Sequence, residues 1–194
     1  MIGHTGGQKS PDDPTPARAW AMPLLPAGVA RTVVCAPARV LGAAGADVDP
    51  RDPLVIQLAA DLLATQALSP GCVGLAAQQV GVPWRVFSVD VSSHPKTRTH
   101  HGAFVLCNAV VLEASRRERG REGCLSVPDL TGDVRRARRL VVAGQLPLTG
   151  EGVVLRTDAF AAVALQHEID HTDGALFLDR VEGAHALHAR VTYR

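Results

Sequence analysis

Along the chain, apolar residues recur at helical intervals in some stretches and alternate with polar ones in others. Leu54, Val55, Leu58, Leu62 and Leu63 fall on helical spacing, with Gln57 and Asp61 on the opposite face. That pattern predicts an amphipathic helix covering a core. Asp52 and Pro53 supply an N-cap and a proline at the first helical position, and Ser69-Pro70-Gly71 ends the helix. Trp84 to Val91 alternates and reads as a strand, and residues 103 to 114 form a second strand region. Leu140 to Ala143 and Val153 to Leu155 flank residues 147 to 152 and predict a hairpin. Residues 159 to 166 are good helix formers and apolar on almost every side, so they predict a buried helix. Asp158 is placed to cap it, and Gly174 to end it with a left-handed residue.

Other stretches carry weaker patterns. Residues 1 to 30 hold Pro11, Pro14, Pro16, Pro23 and Pro26, which break helices and central strands, so they read as a tail or loosely docked arm. Ordered structure is expected from about Arg31, giving one domain over 31–194. Residues 92 to 102, with His94, His100 and His101, read as a solvated loop, and Arg116-Arg117-Glu118-Arg119 as a solvated turn. Residues 175 to 181 predict a short extended exit, and the rest of the C-terminus at most a short helix.

Composition narrows the classes. A hydrophobic share of 46% in 194 residues is enough for a sizeable core. A net charge of +1 argues against direct nucleic-acid binding by electrostatics. The 4 cysteines are irregularly spaced, which argues against a disulfide framework and for a reducing, cytoplasmic setting. No run approaches the roughly 20 apolar residues of a membrane span. The apolar stretch near Met22 is short and broken by proline, which argues against a secretory signal.

The sharpest chemistry lies in His167-Glu168-Ile169-Asp170-His171. At about 100° per residue, positions four apart on a helix lie roughly 40° apart on one face, so both imidazoles can reach one metal ion. Glu168 can then act on a water held there without being a ligand itself. With 8 His and 6 Glu, chance gives this pattern in roughly one such chain in a hundred, so two core histidines are the plainer alternative. A tetrahedral site needs a third protein ligand. Phe177 stands where one protease pattern has its third His, and Glu182 lies in a short polar tail, so the ligand is sought upstream. Cys124, in Glu122-Gly123-Cys124-Leu125-Ser126, is the candidate, while Cys35 and Cys107 read as small buried hydrophobes. In Cys72 to Gly81 small residues let another backbone approach closely. That stretch is either an active-site wall with a Gln turned inward or a tight core turn with its glutamines in solvent. From the stretch alone the second is preferred.

Taken together, Val73-Gly74-Leu75-Ala76-Ala77-Gln78-Gln79, Glu122 to Ser126 and His167 to His171 resemble the three motifs of the peptide deformylases. The resemblance covers about residues 31 to 182. It implies an α+β fold with antiparallel β-sheets packed around a central metal-binding helix. It implies removal of the formyl group from the starting methionine of nascent chains, with N-formyl-methionyl peptides near the ribosome as partners. Cys124, His167 and His171 become the metal ligands and Glu168 the acid and base. Gln79 and the backbone N–H of Leu125 become the oxyanion donors, and Val73, Gly74 and Gly123 become substrate contacts. The implied cofactor is one divalent ion, Fe2+ foremost, with Zn2+, Ni2+ or Co2+ as alternatives. Helical spacing puts Phe160, Val163 and Ala164 on the face of His167, either as the methionine pocket or as plain core. The chain departs from the family in Cys72, where the first motif opens with Gly. A metal-dependent amidase or peptidase of other specificity and a non-catalytic formyl-peptide binder are the alternative functions. Oligomeric state is left open.

Overall fold

The computed structural model describes residues 20–190. Among them six strands form one antiparallel sheet: β1 (Gly74–Ala76), β2 (Val86–Val89), β3 (Phe104–Cys124), β4 (Val127–Gln145), β5 (Gly152–Asp158) and β6 (Leu187–Ala189). The first five pair in chain order, and β6 pairs with β4. Two α-helices, α1 (Pro53–Ala67) and α2 (Ala159–Thr172), complete the α+β architecture. The expected antiparallel strands do pack on α2, and they form one hydrogen-bonded sheet.

Helix α1 starts as its sequence predicts. Asp52 accepts the Leu54 N–H at 2.8 Å, which satisfies one of the donors that a helix start leaves orphaned. The predicted faces need correction. Leu54 is 67% exposed, whereas Asp61 is buried and accepts from Val29 N–H, the Arg31 guanidinium and Gln57. A carboxylate with that many donors can be buried. These bonds, with Met22 and Leu25 packed against the core, dock residues 20 to 31 on the domain. Residues 1–19 of the expected tail lie outside the described residues.

Helix α2 is buried as its apolar surround predicts. Ala161, Ala162, Ala164, Leu165 and Ile169 pack into a cluster with Phe87, Leu106, Val142 and Leu155 of the sheet. The alanines let helix and sheet approach closely. Asp158 holds the N-cap position without capping: its carboxylate takes the Thr99 hydroxyl at 2.8 Å. Gly174, at φ 77°, ends the helix as expected.

The Arg116 to Arg119 run is no turn. It lies inside β3, whose residues 110 to 119 are all exposed. Beyond Cys107 this strand pairs only with β4, so alternation of apolar and polar residues is not required there. The expected extended exit over 175 to 181 contains a 3-10 turn at Phe177–Arg180, and the C-terminus adds a second over Ala184–Ala186 and then β6. Cys107 is buried as expected, but Cys35 is exposed.

Candidate metal centre and active site

Three segments distant in sequence meet at one point. Helix α2 presents His167 and His171 with ring centroids 4.9 Å apart. Strand β3 ends at Cys124, just before the tight turn Leu125-Ser126 that leads into β4. A 3-10 turn at Ala77–Val80, following β1, carries Gln79. One ligand atom each from Cys124, His167 and His171 lies within 4.8 Å of the others, and Cys124 Sγ is 3.3 Å from His171 Nε2.

Hydrogen bonds fix each of these groups. Gln79 Oε1 accepts the Ala76 N–H at 2.9 Å, which turns the amide nitrogen inward. Gln79 Nε2 then donates to Cys124 Sγ and to Ser126 Oγ, each at 3.3 Å. The Ser126 N–H also reaches Cys124 Sγ, at 3.4 Å. Two N–H donors thus hold the Cys124 sulfur in place beside the histidines. Gln78 is fully buried too, donating to the Thr172 carbonyl at 3.4 Å, so neither glutamine faces solvent.

His167 Nδ1 meets Glu122 at 2.9 Å, which leaves Nε2 for the cluster. Glu122 in turn binds Arg136, Arg136 binds Asp170, and Asp170 binds Arg180. Burial works to raise the Glu122 pKa, but hydrogen bonds from His167 and Arg136 overrule it and hold the group at about 2. For His167 burial disfavours the proton, yet the Cys124 sulfur and Glu122 raise its pKa well above the ordinary value. The same field favours a metal cation. For His171 burial, then His167 and Arg136, push the pKa well down, which keeps the ring neutral as a ligand must be. A thiolate and two imidazoles in this arrangement fit a divalent ion such as zinc or ferrous iron.

Glu168 stands beside this cluster, 2% exposed, with Oε2 buried and without a partner. Burial raises its pKa to about 7, against the pull of His167. A bound divalent cation would draw that value back down. Gly74 makes room for it, since a Cβ at that position would overlap the Glu168 carboxylate. Cys72, at the motif's unusual position, donates its thiol to the Gly74 carbonyl at 3.1 Å. Burial first, then nearby Glu168, pushes the Cys72 pKa to about 12, so it stays a neutral thiol.

The remaining candidates divide. Phe160 and Val163 line a small recess otherwise walled by Gly120, Val134 and six charged residues, among them Glu122, the partner of His167. His94 covers Phe160 face to face at 3.7 Å. Ala164 instead lies in the core, 5% exposed, because it turns toward the sheet. Val73 packs partly buried against that core. Leu125 is half-buried in the turn after Cys124. Gly123 lies under the guanidinium of Arg190, which also donates to the Cys124 carbonyl at 3.1 Å. Sequence reasoning gave no role to Ser126, Arg136, His94 or Arg190. Arg136 was hidden in the basic run Arg135 to Arg139, and only its buried pairing with Glu122 and Asp170 distinguishes it.

Comparison with known proteins agrees with this geometry. The polypeptide deformylase family model matches residues 30–186. The peptide deformylase of Heliobacterium modesticaldum is 43% identical over 122 residues, 63% of this chain and 74% of that protein. That of Bartonella tribocorum is 38% identical over 152 residues, 78% of this chain and 84% of that protein. The crystal structure of peptide deformylase from Thermotoga maritima superposes with a TM-score of 0.71 at 30% identity, covering 79% of this chain and 99% of that one. A Met-Ala-Ser-bound structure of class I type b peptide deformylase from Acinetobacter baumannii gives 0.71 at 35% identity, covering 78% and 99%. With the family model spanning most of the described residues and relatives matching across most of both chains, this chain belongs to the polypeptide deformylase family.

Proposed function

We infer that this chain hydrolyses the N-terminal formamide of formyl-methionyl peptides, with nascent chains at the ribosome as its cytoplasmic substrates and ferrous iron as its metal. The observation that carries this reading is the close Cys124, His167 and His171 cluster with a buried, unpartnered Glu168 oxygen beside it. The ion supplies Lewis acidity, which lowers the pKa of water toward neutrality and polarises a carbonyl oxygen. Glu168 takes the proton from the attacking water and later gives it to the leaving amine. One Gln79 amide N–H and the Leu125 N–H stabilise the developing oxyanion. In this structure Gln79 gives its amide to Cys124 and Ser126, so one of those bonds must be exchanged during the reaction. Gly74 and Glu168 approach closely beside the cluster, and a formyl carbon, which bears only hydrogen, needs less space there than a bulkier acyl group. Phe160 and Val163 offer the methionine side chain an apolar wall.

Formate release from formyl-Met-Ala, measured beside acetate release from acetyl-Met-Ala on iron-loaded protein, tests this. Formate release with no acetate release is expected. Equal cleavage of both would make the chain a general amidase, and cleavage of neither would make it a binder.

A further inference from the structure

We propose that Arg190 is a positioning residue for the Leu125 oxyanion donor, acting through the Cys124–Leu125 peptide. The inference deepens the deformylase reading and rests on it for the role of the Leu125 N–H.

Three observations converge on Arg190. Its Nη1 donates to the Cys124 carbonyl at 3.1 Å. Its guanidinium lies over Gly123, where an added Cβ would overlap it. Gly123 is not among the residues with positive φ, so its backbone does not require glycine. The missing side chain there makes space, and Arg190 fills that space. Third, the backbone places Arg190 firmly. Its N–H donates to the Asp129 carbonyl at 2.8 Å, directly after β6 pairs Leu187, His188 and Ala189 with Gly132, Thr131 and Leu130 of β4. The C-terminal strand thus holds the β4 side of the turn while the Arg190 side chain holds the β3 side.

The chemistry follows from the shape of a peptide unit. Among the described residues the only cis bond is Ala36–Pro37, so the Cys124–Leu125 peptide is trans. In a trans peptide the C=O and N–H point in opposite directions. A donor fixed on the Cys124 carbonyl therefore fixes the direction of the Leu125 N–H. It also polarises that N–H, because hydrogen bonds strengthen one another along a chain and a cationic donor does so most. Arg190 never touches substrate in this account. It sets the aim and strength of the group that does. This contact also lies where the β3–β4 ladder slips: Gly123 stands opposite Thr131, but Cys124 stands opposite Val127. An irregular turn has fewer ladder bonds to orient it, so an added brace has more effect.

The test compares wild type, Arg190→Met and Arg190→Lys, all iron-loaded, with iron content and Tm measured for each. Arg190→Met should lower kcat about tenfold, a fraction of the about 10²- to 10³-fold expected for losing an oxyanion donor outright. KM should stay within about twofold, since uniform substrate binding is untouched. Arg190→Lys keeps the charge but not the planar stack, and should fall between the two. A second readout separates aim from general damage. A peptide hydroxamate places a carbonyl oxygen at the oxyanion position, whereas a peptide thiol of the same sequence binds through the metal alone. Arg190→Met should lose affinity for the hydroxamate and keep it for the thiol. A raised KM at unchanged kcat would make Arg190 a substrate contact and overturn the proposal. So would a raised kcat, equal losses for both inhibitors, loss of iron, or kinetics equal to wild type. Failure of the wild type itself to release formate would instead sink the deformylase reading.

Discussion

A buried carboxylate oxygen without a hydrogen-bond partner, as in Glu168, is costly to fold, and such cost is tolerated where the group has chemistry to do. Glu168→Ala should keep the metal, because the cluster atoms belong to Cys124, His167 and His171, and should lose about 10²- to 10⁴-fold in turnover. Single-turnover rates beside iron analysis decide it: activity within a few-fold of wild type would take Glu168 out of the mechanism. The two glutamines give a paired test. Gln79 points its amide at Cys124 and Ser126, whereas Gln78 runs the other way, to the Thr172 carbonyl at the end of α2. Gln79→Leu should therefore reduce kcat about 10²- to 10³-fold with a smaller effect on KM. Gln78→Leu should stay within about tenfold in kcat and show its effect in Tm. The reverse ranking would move the oxyanion contact to Gln78. A repeated Gln in the sequence could not distinguish these directions; the Ala76 N–H, which takes the Gln79 oxygen, does.

Elements were legible where apolar residues recur at a regular spacing or fill a whole segment. Helix α1, strand β2 and the β4–β5 hairpin follow from their spacing, and α2 from its apolar surround. The pattern failed where burial is carried by charge or not needed at all. Asp61 looks like a surface residue until Val29, Arg31 and Gln57 are brought to it from other parts of the chain. The middle of β3 is a strand with solvent on both faces, so its arginines carry no period. Strand β6 is three residues long and visible only through its pairing. The Asp61 cluster makes a prediction at this scale. Burial raises its pKa, but the Val29 N–H, Gln57 and Arg31 together bring it below the ordinary carboxylate value. Its contribution to stability is therefore complete above the unfolded value, about 3.9, and fades as pH falls through the lower folded value. Urea unfolding of Asp61→Asn at pH 7 should show a loss of about 1–3 kcal/mol, because the Arg31 interaction goes. The gap from wild type should close on acidification toward pH 2, and a gap independent of pH would mean that Asp61 does not titrate with folding.

For the whole molecule, the metal centre is a cross-link as well as a site. Cys124 belongs to β3 and the two histidines to α2, so an ion bound there ties helix to sheet. Binding that requires the folded arrangement stabilises it, by about 2.7 kcal/mol at a free metal concentration one hundred times Kd. For a chain of this size that corresponds to about 5–10 °C in Tm. Calorimetry before and after chelation should show a drop of that order, and Cys124→Ala should show none. An equal drop in both would place the stabilising metal elsewhere. The chain order of the site has a further consequence, for the protein's own birth. Gln79, Cys124, His167, His171 and Arg190 leave the synthesising machinery in that sequence, over more than half the length of the chain. At roughly 5–20 residues per second, several seconds separate the emergence of the first from that of the last. From its own emergence until His167 follows 43 residues later, the sulfur of Cys124 exists without its imidazole partners. A half-made chain therefore lacks the full ligand set for a metal ion, and each molecule reaches its full rate only when its C-terminal strand has closed over the turn.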